Sequence, residues 1–251
     1  MLTELQRDRF EVILVSPRNP LNIGAAARAM ANFGFSRLTV VAPYEKHWRE
    51  AQSAVGAKEL LQNAKVVLDL ETAIVDCTLV IGTGTLTYRK AEQPVALLAD
   101  LPHHIERSLA ANGRIALVFG PEKRGLTRKD LSYCHLLAEI PTDTRQPSMN
   151  LGQAVAVCLY EIATRTNSTT VLQPDAQSPS ATTSGELDRL AGIIDQVMLA
   201  AHYSPESMHQ ANRHELRLFL RRLSLSVRDT RRVLGFFRRV LYRLEENRNR
   251  D

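Results

Sequence analysis

Six short apolar runs rich in β-branched residues recur through the first two thirds of the chain: EVILVS at 11–16, RLTVVAP at 37–43, AKVVLDL at 64–70, CTLVIGT at 77–83, RIALVFG at 114–120 and HLLAEIP at 135–141. Stretches of helical character, such as GAAARAMANF and NLGQAVAVCLYEIAT, lie among them. Strands alternating with helices predict βαβ units, and runs without polar alternation predict strands buried on both faces. The pattern defines an α/β body over residues 1–165, with a mostly parallel sheet and helices on both of its faces.

Residues 166–184, within TRTNSTTVLQPDAQSPSATTS, are rich in Ser, Thr, Pro and Gln and nearly empty of apolar side chains. Such a segment cannot bury a core and reads as a flexible linker. Beyond it, residues 185–251 carry apolar positions three and four apart over about three helices, a small all-α extension.

The formal net charge of the 251-residue chain is +5, yet between Arg213 and Arg243 ten arginines stand against two acids, a local balance of +8. Several are three, four or seven apart and so share a helix face. Arg217, Arg221, Arg228, Arg232 and Arg239 are expected to contact nucleic-acid phosphates, a purely solvated face being the competing reading. Phe219, Phe236, Phe237 and Tyr242 interleave with them, and burial in the small bundle is the expected fate of these rings.

No stretch approaches the roughly 18 apolar residues of a membrane span, and the mixed-charge N-terminus does not read as an export signal. A cytoplasmic location and no membrane partner are expected. Cys77, Cys134 and Cys158 are far apart and form no C-x-x-C pair, which fits buried free thiols. The seven histidines show no metal-ligand spacing, so no metal is expected. Gly120-x4-Gly125 imitates a phosphate loop, but leucine stands where that loop needs lysine. The G-x-G-x-x-G of a dinucleotide fold is also missing after the first strand.

Ligands of open α/β sheets gather beyond the carboxyl ends of strands, and three of these ends are punctuated by glycine or proline. They are Gly82-Thr83-Gly84-Thr85, the loop from Gly120 to Gly125, and Ile140-Pro141 leading through Pro147-Ser148-Met149-Asn150-Leu151 into a small-residue helix. Glycine lets backbone N–H and C=O groups approach an adenine edge or a ribose, although each glycine alone also suits a tight turn. In SPRNPLNIGAAARAM at 16–30, Pro20 and Asn22 are expected to open a helix with Asn22 as its cap. The alanines and Gly24 would keep the surface of that helix low around Arg28, leaving room for a ligand to come close.

The N-x-G-A-x-x-R of Asn22, Gly24, Ala25 and Arg28, LVFGPEKRGL at 117–126 and IPTDTRQPSMNLGQAVAV at 140–157 resemble, in order, the three motifs of the SpoU branch of the SPOUT RNA methyltransferases. The resemblance covers about residues 9–164. It implies an S-adenosyl-L-methionine-dependent enzyme, a C-terminal trefoil knot in the α/β body, one of the rare exceptions to unknotted folding, and a homodimer whose active site is completed across subunits. Carried over position by position, it implies a cofactor pocket lined by Thr83, Gly84, Thr85, Gly120, Ile140, Pro147, Ser148, Met149 and Leu151. The implied catalytic group is Arg28, Asn22, Glu122, Ser148 and Asn150. Within the branch, GAKELLQNAKVV at 56–67, GTGTLTYR at 82–89 and the arginine-rich extension are most similar to tRNA ribose 2′-O-methyltransferases acting on nucleotide 32 of the anticodon loop. That similarity implies tRNA as partner; a ribosomal RNA substrate and a catalytically silent RNA-binding chain are the competing readings.

Methyl transfer to a ribose needs a held methyl donor, an oriented 2′-hydroxyl and relief of its proton. The resemblance places Arg28 at the ribose, but a guanidinium stays protonated in proteins. Arg28 is therefore expected to hold the adjacent phosphate and to stabilise alkoxide charge as it develops.

Overall fold

The computed structural model describes residues 2–84, 90–166, 181–203 and 205–248. Its strands are β1 (Phe10–Val15), β2 (Leu38–Val41), β3 (Lys65–Val67), β4 (Leu79–Thr83), β5 (Val95–Leu97), β6 (Ile115–Phe119) and β7 (Leu136–Glu139). Its α-helices are α1 (Glu4–Arg7), α2 (Pro20–Phe33), α3 (Lys58–Asn63), α4 (Leu70–Ala73), α5 (Leu101–Ala110), α6 (Arg128–Leu131), α7 (Leu151–Arg165), α8 (Ser184–Ala200), α9 (His209–Arg222) and α10 (Val227–Arg248). The strands form one sheet in the order β3-β2-β1-β6-β4-β7-β5, and every pairing is parallel.

The two central strands show why the apolar runs lack alternation. Phe10, Val12 and Leu14 of β1 enter the core beneath α2, α5 and α7, whereas Ile13 and Val15 enter the core beneath α4 and α6. Ile115, Leu117 and Phe119 of β6 separate from Ala116 and Val118 in the same way. Successive side chains point to opposite faces, so a sheet covered on both sides needs apolar residues at every position. Each fully buried large aliphatic contributes about 1.5–3 kcal/mol, which makes these strands the mechanical centre of the body. The sequence does not announce β5: it is three residues long, follows Pro94, and exposes Val95 and Leu97 at the sheet edge.

The expected linker falls mostly on residues 167–180, outside the described residues. At its end, Ala181 bridges to Ser226, and the hydroxyls of Thr182 and Thr230 meet at 2.8 Å in a buried contact. Thr183 caps α8 in a reciprocal capping box with Glu186. The start of α8 is tied to the body, since Ser184 N–H donates to the Cys77 carbonyl (2.8 Å) and Gly185 N–H to that of Val75 (3.0 Å).

α9 docks through polar groups. Arg221 Nε donates to the Tyr133 carbonyl (2.9 Å), and its Nη2 donates to both carboxylate oxygens of Asp188 (2.9 and 3.1 Å). The Arg217 guanidinium lies 4.5 Å from the centre of the Tyr133 ring. Burial raises the Asp188 carboxyl, with Arg221 opposing it. Arg217 and Arg221, expected to face nucleic acid, are thus buried ties between the extension and the body. The sequence could not show this because Asp188 and Tyr133 come from distant segments. His214 Nε2 bonds to Glu92 (2.8 Å), which the Arg128 guanidinium also grips. These contacts gather at residues that precede β4, β5 and β7, so the extension sits at the amino edge of the sheet. No described helix is long and apolar enough to cross a membrane.

Candidate active site

At the opposite edge of the sheet, the exit of β1 leads into α2. Asn19, not Asn22, caps this helix, its Oδ1 accepting the Leu21 N–H at 2.9 Å. Pro20 fills the first helical position, which fixes the cap one residue before it. Asn22 therefore lies inside the first turn with its side chain free to reach across the sheet. Its Nδ2 donates to Glu122 Oε1 (2.7 Å), and its Oδ1 accepts from Asn150 Nδ2 (2.8 Å). Asn150 in turn caps α7, its Oδ1 accepting from Gly152 and Gln153 N–H (2.9 and 3.4 Å). Only one amide orientation satisfies the whole chain: Asn150 accepts from the helix, so it must donate to Asn22, which must donate to Glu122.

Glu122 also accepts the N–H groups of Arg18 (3.2 Å) and Asn19 (3.3 Å), so its carboxylate rests on the N-terminus of α2. Burial pushes the Glu122 carboxyl up, but hydrogen bonds from Asn22, its own backbone, Arg18 and Asn19 outweigh burial and hold it below the usual carboxylate value. A carboxylate engaged in this way is suited to clamping two loops together and poorly suited to accepting a proton.

The expected cofactor residues follow β4, β6 and β7, which are adjacent in the sheet. A Cβ on Gly120 would stand 2.2 Å from the Leu126 nitrogen, so the loop from 120 to 126 closes too tightly for any side chain there. Among the described residues, a Cβ on Gly84 would meet nothing within 4 Å. Thr83 is buried, and its hydroxyl donates to the Val118 carbonyl (3.0 Å), fastening β4 to β6. Ile140, Pro147 and Met149 are half-buried and Ser148 is exposed. The Leu151 side chain belongs to the core, which leaves only its backbone for a ligand. Thr85 lies outside the described residues.

Arg28 is exposed and makes no hydrogen bond or ion pair with the described residues. Six residues beyond Asn22, it lies roughly 9 Å along α2 and about 120° around it. The small residues near it serve a different purpose from the one expected. Gly24, Ala26, Ala27 and Ala29 are buried, a Cβ on Gly24 would collide with Ser53 Oγ, and Ala25 packs against Gly152 of α7. The low surface admits protein neighbours rather than RNA. Arg28 instead shares the outer face of the α2–α7 pair, where Leu21, Val157 and Tyr160 are exposed and Phe33 meets Tyr160 edge-on at 6.0 Å.

On α10, Arg228, Arg231, Arg232, Arg238, Arg239 and Arg243 are exposed. Phe219, Phe236 and Tyr242 are at least half exposed, against the expectation of burial, while Phe237 packs into the extension core. Apolar contacts among α8, α9 and α10 are supplied by other residues, among them Leu187, Leu190, Leu220 and Val233. The fold also gathers a group that spacing could not reveal: Glu92, His214 and Glu215 bring ligand atoms within 4.8 Å of one another. Arg128 pairs with both carboxylates, so the group reads as an ion-pair cluster. Cys77, Cys134 and Cys158 are free and buried, and burial raises each thiol to about 12.

A parallel sheet with glycine- and proline-marked loops beyond β4, β6 and β7, and a polar chain joining the three motifs, together form the architecture of a SpoU-type methylase. Residues 9–160 match the SpoU rRNA Methylase family, and the chain belongs to that family. Over 244 residues it is 31% identical to the tRNA (cytidine/uridine-2′-O-)-methyltransferase TrmJ of Escherichia coli (strain K12), covering 94% of this chain and 95% of that protein. It is 40% identical over 156 residues to the tRNA (cytidine/uridine/adenosine-2′-O-)-methyltransferase TrmJ of Pseudomonas aeruginosa (strain UCBPP-PA14), a match spanning 62% of this chain and 60% of that relative. Among solved structures, TrmJ from Z. mobilis ZM4 aligns with a TM-score of 0.79 at 27% identity, over 92% of this chain and 98% of that one.

Proposed function

We propose that this chain is a cytoplasmic, S-adenosyl-L-methionine-dependent tRNA ribose 2′-O-methyltransferase that acts on nucleotide 32 of the anticodon loop as a homodimer. The observation that carries the reading is the Asn150–Asn22–Glu122 chain, which joins one residue from each of the three motifs into a single cluster beside the exits of β1 and β6. The match to the Escherichia coli relative extends through the arginine-rich extension, which favours tRNA as substrate.

The residues present fit the cofactor: among the described residues nothing crowds Gly84, and the half-buried apolar surfaces of Ile140 and Met149 suit an adenine and a methionine chain. Gly84, Gly120, Ile140, Pro147 and Met149 would hold it, and when bound it supplies an activated methyl group. In the same reading, β4 lies between the later strands β6 and β7, and the segment from β6 to α7 forms the trefoil knot.

Arg28 points away from the Asn22 cluster of its own chain, and this favours a dimer. Packing the outer face of α2 and α7 on its copy covers Leu21, Val157 and Tyr160 and carries Arg28 to the other subunit's site. There the guanidinium binds the phosphate beside the target ribose and stabilises the developing alkoxide, while the hydroxyl proton leaves to solvent. Ser148, exposed beside Asn150, orients the ribose. Arg228, Arg232 and Arg239 grip phosphates from α10.

Mass spectrometry of nucleosides from tRNA incubated with the protein and S-adenosyl-L-methionine tests the reading. The expected product is 2′-O-methylcytidine or 2′-O-methyluridine at nucleotide 32. Methylation confined to ribosomal RNA, or no methylation of either RNA, overturns it.

A further inference from the structure

Two adjacent strands leave the sheet through backbone conformations that non-glycine residues adopt only at a cost. Ser16, directly after β1, has φ 45°, and Ala42, directly after β2, has φ 42°. Val15 and Val41 are paired in register, so the two left-handed residues stand side by side at the carboxyl edge. Strain of this kind persists where surrounding structure enforces it, and it concentrates at functional sites. Its result here is specific. The chains turn toward each other, Tyr44 N–H donates to the Pro17 carbonyl (3.2 Å), and the Arg18 guanidinium comes to lie 5.3 Å from the centre of the Tyr44 ring.

We infer that Arg18 and Tyr44 form a stacking platform for an unpaired base of the RNA loop that carries the target nucleotide. The inference rests on the proposed tRNA methylation and adds a residue-level account of how the loop is held. Tyr44 is 69% exposed, so its ring is accessible to a base. Arg18 is anchored next to the reactive cluster by its own N–H bond to Glu122, so the platform sits at the rim of the candidate site. Single-stranded RNA is recognised by splayed bases stacked on aromatic rings and guanidinium planes, and here both surfaces are paired. The positive charge of Arg18 also suits the adjacent phosphate. Glu122 occupies the N–H groups of Arg18 and Asn19 just ahead of α2, and Asn19 accepts those of its first turn, which leaves stacking, rather than anion capture by the helix, as what this corner offers the RNA.

The test compares Tyr44→Ala, Tyr44→Phe and the wild type on tRNA and on an anticodon stem-loop carrying 2-aminopurine at successive loop positions. Stacking of one base predicts a loss of roughly 5- to 140-fold in kcat/KM for tRNA in Tyr44→Ala, with Tyr44→Phe close to wild type. Affinity for S-adenosyl-L-methionine should stay unchanged, and quenching at one loop position should disappear only in Tyr44→Ala. An active wild type matched by Tyr44→Ala within twofold overturns the platform and leaves the tRNA reading standing. An equal loss of cofactor affinity in Tyr44→Ala, or a Tyr44→Phe as impaired as the alanine variant, also overturns it by showing a structural or hydroxyl role. A wild type that methylates no tRNA removes the platform together with the reading beneath it.

Discussion

α9 and α10 are consecutive helices, both carry arginines four residues apart, and two of those on α9 meet a fate opposite to those on α10. Arg217 and Arg221 of α9 are buried, whereas Arg228, Arg231, Arg232, Arg238 and Arg239 of α10 are exposed. The difference lies in what each helix packs against. α9 meets the Asp188 carboxylate on α8 and the ring and carbonyl of Tyr133 before β7. α10 presses Val233, Leu234 and Phe237 into the extension core and leaves those five guanidinium groups on its exposed side. A run of arginines thus takes its meaning from the elements that receive it: Arg217 and Arg221 fasten one helix to the body, while the next helix keeps its arginines exposed.

The largest expected effect would break the contrast from the α9 side. Arg221→Ala strands the buried Asp188 carboxylate and should cost about 3–5 kcal/mol of stability in chemical denaturation. A loss below about 1 kcal/mol would mean that α9 is as free as α10. An intermediate effect sharpens the point at Arg217. Arg217→Met keeps the apolar stem but removes the cation above Tyr133, and should cost about 1 kcal/mol without altering the salt dependence of tRNA binding. The smallest effect on stability belongs to α10. Arg232→Ala and Arg239→Ala should each change stability by less than about 0.5 kcal/mol. Each should also lower the slope of log affinity for tRNA against log salt by about 1. If either variant destabilises the fold as Arg221→Ala does, or leaves the salt slope untouched, the exposed face is no grip.

The same dependence on distant partners separates what the sequence discloses from what it hides. β1, β2, β4, β6 and β7 are legible because burial on both faces demands unbroken apolar runs, and turn residues end most of them. β5 is not, because three edge residues need no such run. Strand order is invisible, since pairing between residues far apart leaves no local trace. Within the candidate site, the motif positions Asn22, Glu122 and Asn150 are readable, but their direct bonding is a product of topology. The cap of α2 was open to a finer reading: proline favours the first helical position, which points to Asn19 rather than Asn22. Arg18 and Tyr44 carry no signal of their own, because only the turns at Ser16 and Ala42 bring them together.

The strand order also dictates a timetable for synthesis. β1 needs β6 as its inner neighbour, and Phe10 pairs with Ile115, a separation of roughly a hundred residues that places the sheet among slow, non-local topologies. β4 is worse placed, because both of its neighbours, β6 and β7, are translated after it. While the ribosome is still making α5, β1 is half-paired and β4 and β5 are unpaired, and β1 and β4 are strongly apolar. This is the interval in which aggregation competes with folding. It narrows when β6, the most buried strand of the sheet, pairs with both β1 and β4, and it closes when β7 covers the remaining edge of β4.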